Sequence, residues 1–567
     1  MPQSGVASRM KVFLLGLDGA TWDILSPLIA DGKMPNLARL IKNGASGTLN
    51  SIFPPLSPVA WTGVMTGKNS GKHGVFEFLE HDHNPGHARV NSSRSIQSDL
   101  LWEIAGRHGK TSVAAAVPMS YPPRPMKGFF LGDFLSPSQS NDFSNDPSIL
   151  RELEAHLGEP YQPWNTAVHD GGREAEALTS LTKFLDHHLR SVEFLMQRCP
   201  WDLFVYDLMA TDRIQHELWH AWNPSHRAAK GRDLSRVREG FIDFWKRLDD
   251  GLGSIASKLD QETALILMSD HGFGPIEWYV NFNVWLLEQG DIALHDSLYV
   301  KQKRWCYNRG ITPQWFYGIM ARFGGAKNRV SRFRGKQTTW VDRLADAMFL
   351  SKRHIDWSRT RAYALGNFGQ IFLNLKGRQP HGSVDPADAP ALIADLKARL
   401  QSIKHPETGE PLVSHVYEAS ELYHGPQAHL APDLTVVLGD WNYRTIGLYD
   451  FTTHKTIAPA FGPTGDHRIE GVFIGSGAPF RPGGLLKTNR TLLDIAPTVL
   501  RLLGVPIPQD IDGRVLDEVL DPKVLPDTSQ ASTAIDHDTS SDSGTSNGYS
   551  AEEEAIIQQR LSELGYM

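Results

Sequence analysis

Three short apolar runs, each leading into an acidic residue, constrain this chain more than any other feature. Residues 11–17 (KVFLLGL), 201–206 (WDLFVY) and 264–268 (ALILM) have the length and continuity of strands buried on both faces. Such runs belong to a mostly parallel sheet covered by helices on both sides, which gathers its ligands at the carboxyl ends of its strands. The first run stops at Asp18-Gly19, a turn signal. After the second, Asp212 and His216 lie four apart in a stretch that reads as helix, so both project from one face. The third passes directly into Ser269-Asp270-His271-Gly272, and His467 follows much later. Six carboxylate and imidazole ligands of this kind suit two divalent ions.

A nucleophile candidate lies in residues 51–67 (SIFPPLSPVAWTGVMTG). Ser57 precedes Pro58, a residue favoured in the first turn of a helix, and 59–66 can continue that helix. A serine at such a start faces backbone N–H groups and a helix dipole that favour an alkoxide and an incoming phosphate. With a metal alongside, its hydroxyl could ionise near neutral pH.

In the order and spacing of these pieces the chain resembles the type I phosphodiesterase and nucleotide pyrophosphatase branch of the alkaline phosphatase superfamily, up to about residue 520. The resemblance implies a three-layer αβα fold with a mostly parallel central sheet. It implies one ion held by Asp18, Ser57, Asp270 and His271, and a second held by Asp212, His216 and His467, the last within Thr464-Gly465-Asp466-His467. The activity implied is hydrolysis of an anionic phosphoester through a phosphoserine formed on Ser57. The mixed ligands favour Zn²⁺, and Mn²⁺ fits the same set. A phosphotransferase or mutase using the same serine, and a non-enzymatic phosphoester-binding protein, are the alternatives within this reading. Two positions depart from relatives: the nucleotide pyrophosphatases carry an Asn where this chain has Ala60, and the sulfatases need an Arg where it has Trp61.

Other motifs compete with this reading. His216-Glu217-Leu218-Trp219-His220 satisfies the H-E-x-x-H pattern of zinc metalloproteases, but that chemistry leaves Asp18, Asp270, His271 and His467 without a role, and His220 is then expected beside the site or on a solvated face. The 63–68 stretch, ending Gly67-Lys68, has one residue too few between its glycines for a phosphate-binding loop and lacks the following Ser or Thr. His73-Gly74 reads as structural.

Charge patterning sets the domain expectations. Residues 521–567 carry nine acidic side chains against two basic ones, which is the whole of the net charge of −7. Residues 525–549, rich in Ser, Thr, Asp and Gly, are expected to be disordered, and Ser550-Ala-Glu-Glu553 reads as a capping box opening a short helix stopped by Gly565. Residues 297–341 contain no acidic side chain but interleave Lys301, Lys303, Arg304, Arg309, Arg329, Arg332, Arg334 and Lys336 with aromatics. This stretch is expected to cap the site, where basic residues suit an anionic substrate; a solvated face and contact with an acidic membrane surface are the other readings. The expected organisation is a first catalytic part over 1–275, an inserted cap over 276–361, a second catalytic part over 362–520, an acidic linker over 521–549 and a terminal helix over 550–567. No nucleic-acid module is visible. Cys199 and Cys306 form no disulfide or metal framework, and no signal-length apolar run precedes Asp18, so a cytoplasmic location is expected.

Overall fold

The computed structural model describes residues 10–81, 88–137, 140–165, 173–315, 349–439, 443–447, 451–460, 462–526 and 548–564. Its principal element is an eight-stranded sheet in the order Gly484–Leu485, Ala45–Asn50, Glu470–Ser476, Thr263–Met268, Lys11–Gly16, Leu203–Asp207, Ser112–Ala115, Gly128–Leu131. Lys11–Gly16 runs parallel to both neighbours, and the two strands beyond Leu203–Asp207 continue the parallel set. Glu470–Ser476 is antiparallel to both of its neighbours. The three apolar runs read from the sequence are thus the three adjacent central strands. They are continuous in apolar character because both faces are covered.

Helices Glu174–Arg198, Ala210–Trp222 and Ser235–Lys258 pack on one another as one layer, while Ser57–Thr66, Leu101–Arg107 and Ile495–Leu503 pack together, with Ile495–Leu503 against Lys11–Gly16. The large side chain of Trp61 lies beneath the central strand: a Cβ on Gly16 would fall 2.4 Å from its ring, so the strand can pass there only as glycine. This packing accounts for the tryptophan where a sulfatase would need arginine.

A second core, running from Val280 to Phe451, surrounds a four-stranded antiparallel sheet ordered Ala362–Leu365, Gln370–Leu373, Leu434–Leu438, Val413–Glu418. Leu392, Leu396 and Leu400 of helix Ala389–Gln401 are buried in it. The strands within residues 362–438, in the stretch expected to be the second catalytic part, therefore build a sheet of their own. The strand-like character of residues 361–374 was readable, but a strand's pattern does not name the sheet it joins.

Of the expected basic cap, the structure describes helix Leu298–Asn308, which exposes Leu298, Tyr299 and Trp305; Arg309 stacks 3.6 Å over Trp305. Arg329, Arg332, Arg334 and Lys336 lie outside the described residues. Among those described, no helix is long and apolar enough to cross a membrane.

The capping box at Ser550 is present: its side chain accepts from the Glu553 N–H, and helix Ala551–Glu563 follows. Gly565 and residues 527–547 lie outside the description. The flanks of the expected disordered stretch are nonetheless packed. Tyr549 stacks on Tyr121 at 5.6 Å and donates to the Leu135 carbonyl at 3.1 Å, and Leu525 lies against the main core. An aromatic residue in a polar stretch found both an apolar face and an acceptor for its hydroxyl, which composition alone does not reveal.

Candidate metal centre

The carboxyl ends of the central strands bring the predicted ligands together. Asp18 follows Lys11–Gly16 by two residues, in a turn whose next residue, Gly19, has φ +65°. Its glycine is required twice over, since a Cβ there would also press on Phe273 at 2.8 Å. The turn is tied from both sides: the Gly19 N–H donates to Asp270 Oδ1 at 3.2 Å, and Thr211 Oγ1 donates to the Asp18 carbonyl at 2.7 Å. Asp212 and His216 sit one turn apart in helix Ala210–Trp222. His467 arrives on the short strand Gly465–Arg468, paired antiparallel with Gly272–Pro275, so that its ring stacks on His271 with centroids 3.6 Å apart.

Ser57 is the first residue of helix Ser57–Thr66, and Leu56 takes the N-cap position without a side-chain cap bond. Its hydroxyl points to His271, with Oγ 3.5 Å from Nε2. Thr62, the nearest rival hydroxyl in the helix, donates to the Pro58 carbonyl at 2.6 Å. Asp18, Ser57, Asp212, His216, Asp270, His271 and His467 are each no more than 2% exposed.

Proton positions follow from the backbone. His271 Nδ1 lies 3.1 Å from the Gly272 carbonyl, His216 Nδ1 2.9 Å from that of Gly465, and His467 Nδ1 2.8 Å from that of Pro55. A carbonyl only accepts, so each Nδ1 carries its hydrogen and each neutral ring turns the Nε2 lone pair inward. Around His271 Nε2 stand Asp18 Oδ1 and Asp270 Oδ2, both at 3.4 Å, and the serine oxygen. The second cluster has His216 Nε2 and His467 Nε2 3.1 Å apart, each 3.3 Å from Asp212 Oδ1. Groups of acceptors facing one another in a buried site are mutually repulsive, and a cation among them would satisfy all of them. The residues present therefore fit bound divalent metal.

Electrostatics point the same way. Burial, then the neighbouring carboxylates of Asp270, Asp207 and Asp212, push Asp18 well above the usual carboxylate range. Burial holds His271 well below the usual imidazole value. Against burial, His216 and His467 hold Asp212 well down; against burial, Asp212 raises His467. This second cluster favours positive charge among its ligands.

Two acidic residues had no role assigned from the sequence. Asp207 ends the strand Leu203–Asp207, is 1% exposed, and has neither carboxylate oxygen in a hydrogen bond. Asp466 can group with His216 and His467 around an ion and lies 3.4 Å from Arg444. An acid ending a buried apolar run was the available signal for Asp207. Phe368, on the turn between Ala362–Leu365 and Gln370–Leu373, stands 5.8 Å from the His467 ring, so the second sheet reaches the site.

The metalloprotease motif does not assemble. Glu217 pairs with Arg213 at 3.1 Å instead of facing a shared ion. Leu218 breaks the helix (φ −124°), and His220 turns to Thr464 Oγ1 at 3.1 Å. At 3% exposure, His220 is also not a solvated helix position. Gly63 to Gly67 belong to the end of the serine helix, and Lys68 pairs with Asp510, so no phosphate loop forms there. His73 is buried outside both clusters.

The carboxylate crowding has a measurable consequence. Burial raises Asp270 to about 6, so ionising it costs the folded metal-free protein stability; the cost starts above the carboxylate's ordinary value of 3.8 and is complete above about 6. Asp270→Asn is expected to raise the melting temperature of chelator-treated protein at pH 7.5, to have little effect at pH 4, and to lower it in saturating divalent metal at pH 7.5. Equal shifts at both pH values without metal would contradict this electrostatic account.

A family model described as type I phosphodiesterase / nucleotide pyrophosphatase matches residues 12–456. No curated protein matches the sequence. Among solved structures, phosphonoacetate hydrolase from Sinorhizobium meliloti 1021, in complex with phosphonoformate, is similar at 15% identity and a TM-score of 0.51, over 86% of this chain and 95% of that one. Murine ectonucleotide pyrophosphatase/phosphodiesterase 5 is similar at 14% identity and a TM-score of 0.46, over 90% of this chain and 100% of that one. The chain belongs to the type I phosphodiesterase / nucleotide pyrophosphatase family, and so is a phosphoric ester hydrolase.

Proposed function

We propose that the protein hydrolyses a phosphodiester or nucleotide pyrophosphate bond through a phosphoserine on Ser57, with two divalent ions resident in the site. The observation that carries this reading is the inward convergence of the three Nε2 lone pairs on Asp18, Asp212, Asp270 and the Ser57 hydroxyl. Asp18, Ser57, Asp270 and His271 would hold one ion, and Asp212, His216 and His467 the other. When bound, the ions supply Lewis-acid stabilisation of charge on the entering and departing oxygens, and Zn²⁺ or Mn²⁺ fits the ligands.

The chain's own residues do the rest. Ser57, fixed at the head of a fully buried helix, presents Oγ towards His271 beside that helix's first N–H groups. Attack by Oγ, with loss of its proton to solvent, forms the Oγ–P bond as the bond to the leaving oxygen breaks. Water then attacks the phosphoserine, releasing the phosphoryl product and restoring the hydroxyl. Ala60 places a methyl group where nucleotide pyrophosphatases have an amide, so the phosphoryl group must be oriented by other groups.

A panel of chromogenic phosphomonoesters, phosphodiesters and sulfate esters, assayed on chelated protein with Zn²⁺ or Mn²⁺ restored, tests the reading. Metal-dependent diester turnover is expected to exceed both other classes. Sulfate ester turnover above diester turnover would refute the assignment, and transfer of phosphate to an added alcohol in preference to water would replace hydrolase by phosphotransferase.

A further inference from the structure

The acidic C-terminal helix has no part in the chemistry above, yet it ends on the helix that carries Asp212 and His216. We infer that helix Ala551–Glu563 positions this ligand pair, acting through Arg213. The inference rests on the reading that Asp212 and His216 hold a metal ion.

Arg213 directly follows Asp212 and is completely buried. Its guanidinium donates to Glu217 Oε1 at 3.1 Å, within its own helix, and to the main-chain carbonyl of Leu564 at 3.2 Å. Leu564 is the C-cap of the terminal helix, where carbonyls lack intrahelical partners and the helix dipole is negative. A buried guanidinium from one helix thus caps the end of another, and each supplies what the other lacks.

The terminal helix is anchored well enough to act as a fixed support. Ile557, Leu561 and Leu564 are buried in the main core. Arg560 is buried, donates to the carbonyls of Phe134 and Ser136, and lies 3.4 Å over the Trp164 ring. Glu554 accepts from the Val90 N–H at 2.9 Å. At its other end Tyr549 is held by Tyr121 and Leu135.

The ligand helix needs such support. It is interrupted at Leu218, two residues after His216, so its later turns do not stiffen the turn that carries the ligands. His216 is tied on the inner side by the Gly465 carbonyl. On the outer side, Arg213 links the same turn to Leu564. Unseating the terminal helix would leave a buried cation short of an acceptor, and the ligand turn would shift to recover one.

The test uses full-length protein, cleared of metal and titrated with Zn²⁺ by calorimetry. Leu561→Glu, which puts a charge on the buried face of the terminal helix, is expected to weaken one of two binding events on the order of tenfold, within the range seen when support behind metal ligands is lost. The other event should be unchanged, which also shows that the variant is folded. Arg213→Met should weaken the same event, and the double variant should be no worse than the more affected single one. Arg560→Ala gives a milder version if Leu561→Glu does not fold. Unchanged binding in all variants, equal weakening of both events, or effects that multiply in the double variant would each overturn the positioning role. Absence of divalent metal binding by wild-type protein would instead overturn the metal reading itself.

Discussion

Ser57→Ala is expected to abolish turnover, by on the order of a thousandfold or more, because no neighbouring oxygen can replace the attacking atom. The fold should be nearly indifferent. The serine occupies the first helical position and Leu56 the N-cap, with no side-chain cap bond, so the loss of about 1 kcal/mol typical of removing a cap does not apply. Thr62 cannot substitute, since its hydroxyl is buried in a bond to the Pro58 carbonyl. Protein quenched during turnover and digested should carry phosphate on the peptide containing Ser57. Near-wild-type activity in Ser57→Ala, or phosphate on Thr62, would rule out the covalent route.

The second large effect concerns the ions. Purified protein is expected to hold close to two divalent ions per chain by elemental analysis. Asp212→Ala or His467→Ala should remove about one of them and lower kcat/KM by several orders of magnitude. Both substitutions act on one cluster, because His467 Nε2 and His216 Nε2 lie 3.3 Å from the same Asp212 oxygen. The Asp18–Asp270–His271 cluster should keep its ion, although the stacking of His467 on His271 makes some loosening there more marked for His467→Ala than for Asp212→Ala. One ion per chain in wild type, with occupancy unaffected by either substitution, would defeat the two-site assignment. Full activity after exhaustive chelation would defeat metal dependence altogether.

Local pattern carried much of this protein. The strands 11–17, 201–206 and 264–268 could be read because burial on both faces leaves an unbroken apolar run, and the Asp212–His216 pairing because a four-residue offset returns to one helix face. The capping box at Ser550 is likewise a short-range signal. Long-range proximity was legible only through resemblance: nothing near His467 in sequence says that its strand pairs with Gly272–Pro275 and stacks it on His271. Tertiary structure alone decided that residues 362–438 form a separate sheet, since a strand's alternation is the same whichever partner it finds. It also decided that Asp207 lies close enough to act on Asp18, that the histidine lone pairs face inward, and that the terminal helix ends against Arg213. Those outcomes depend on which backbone carbonyl or side chain occupies a neighbouring position in space, and residues hundreds of positions apart in the chain supply that neighbour.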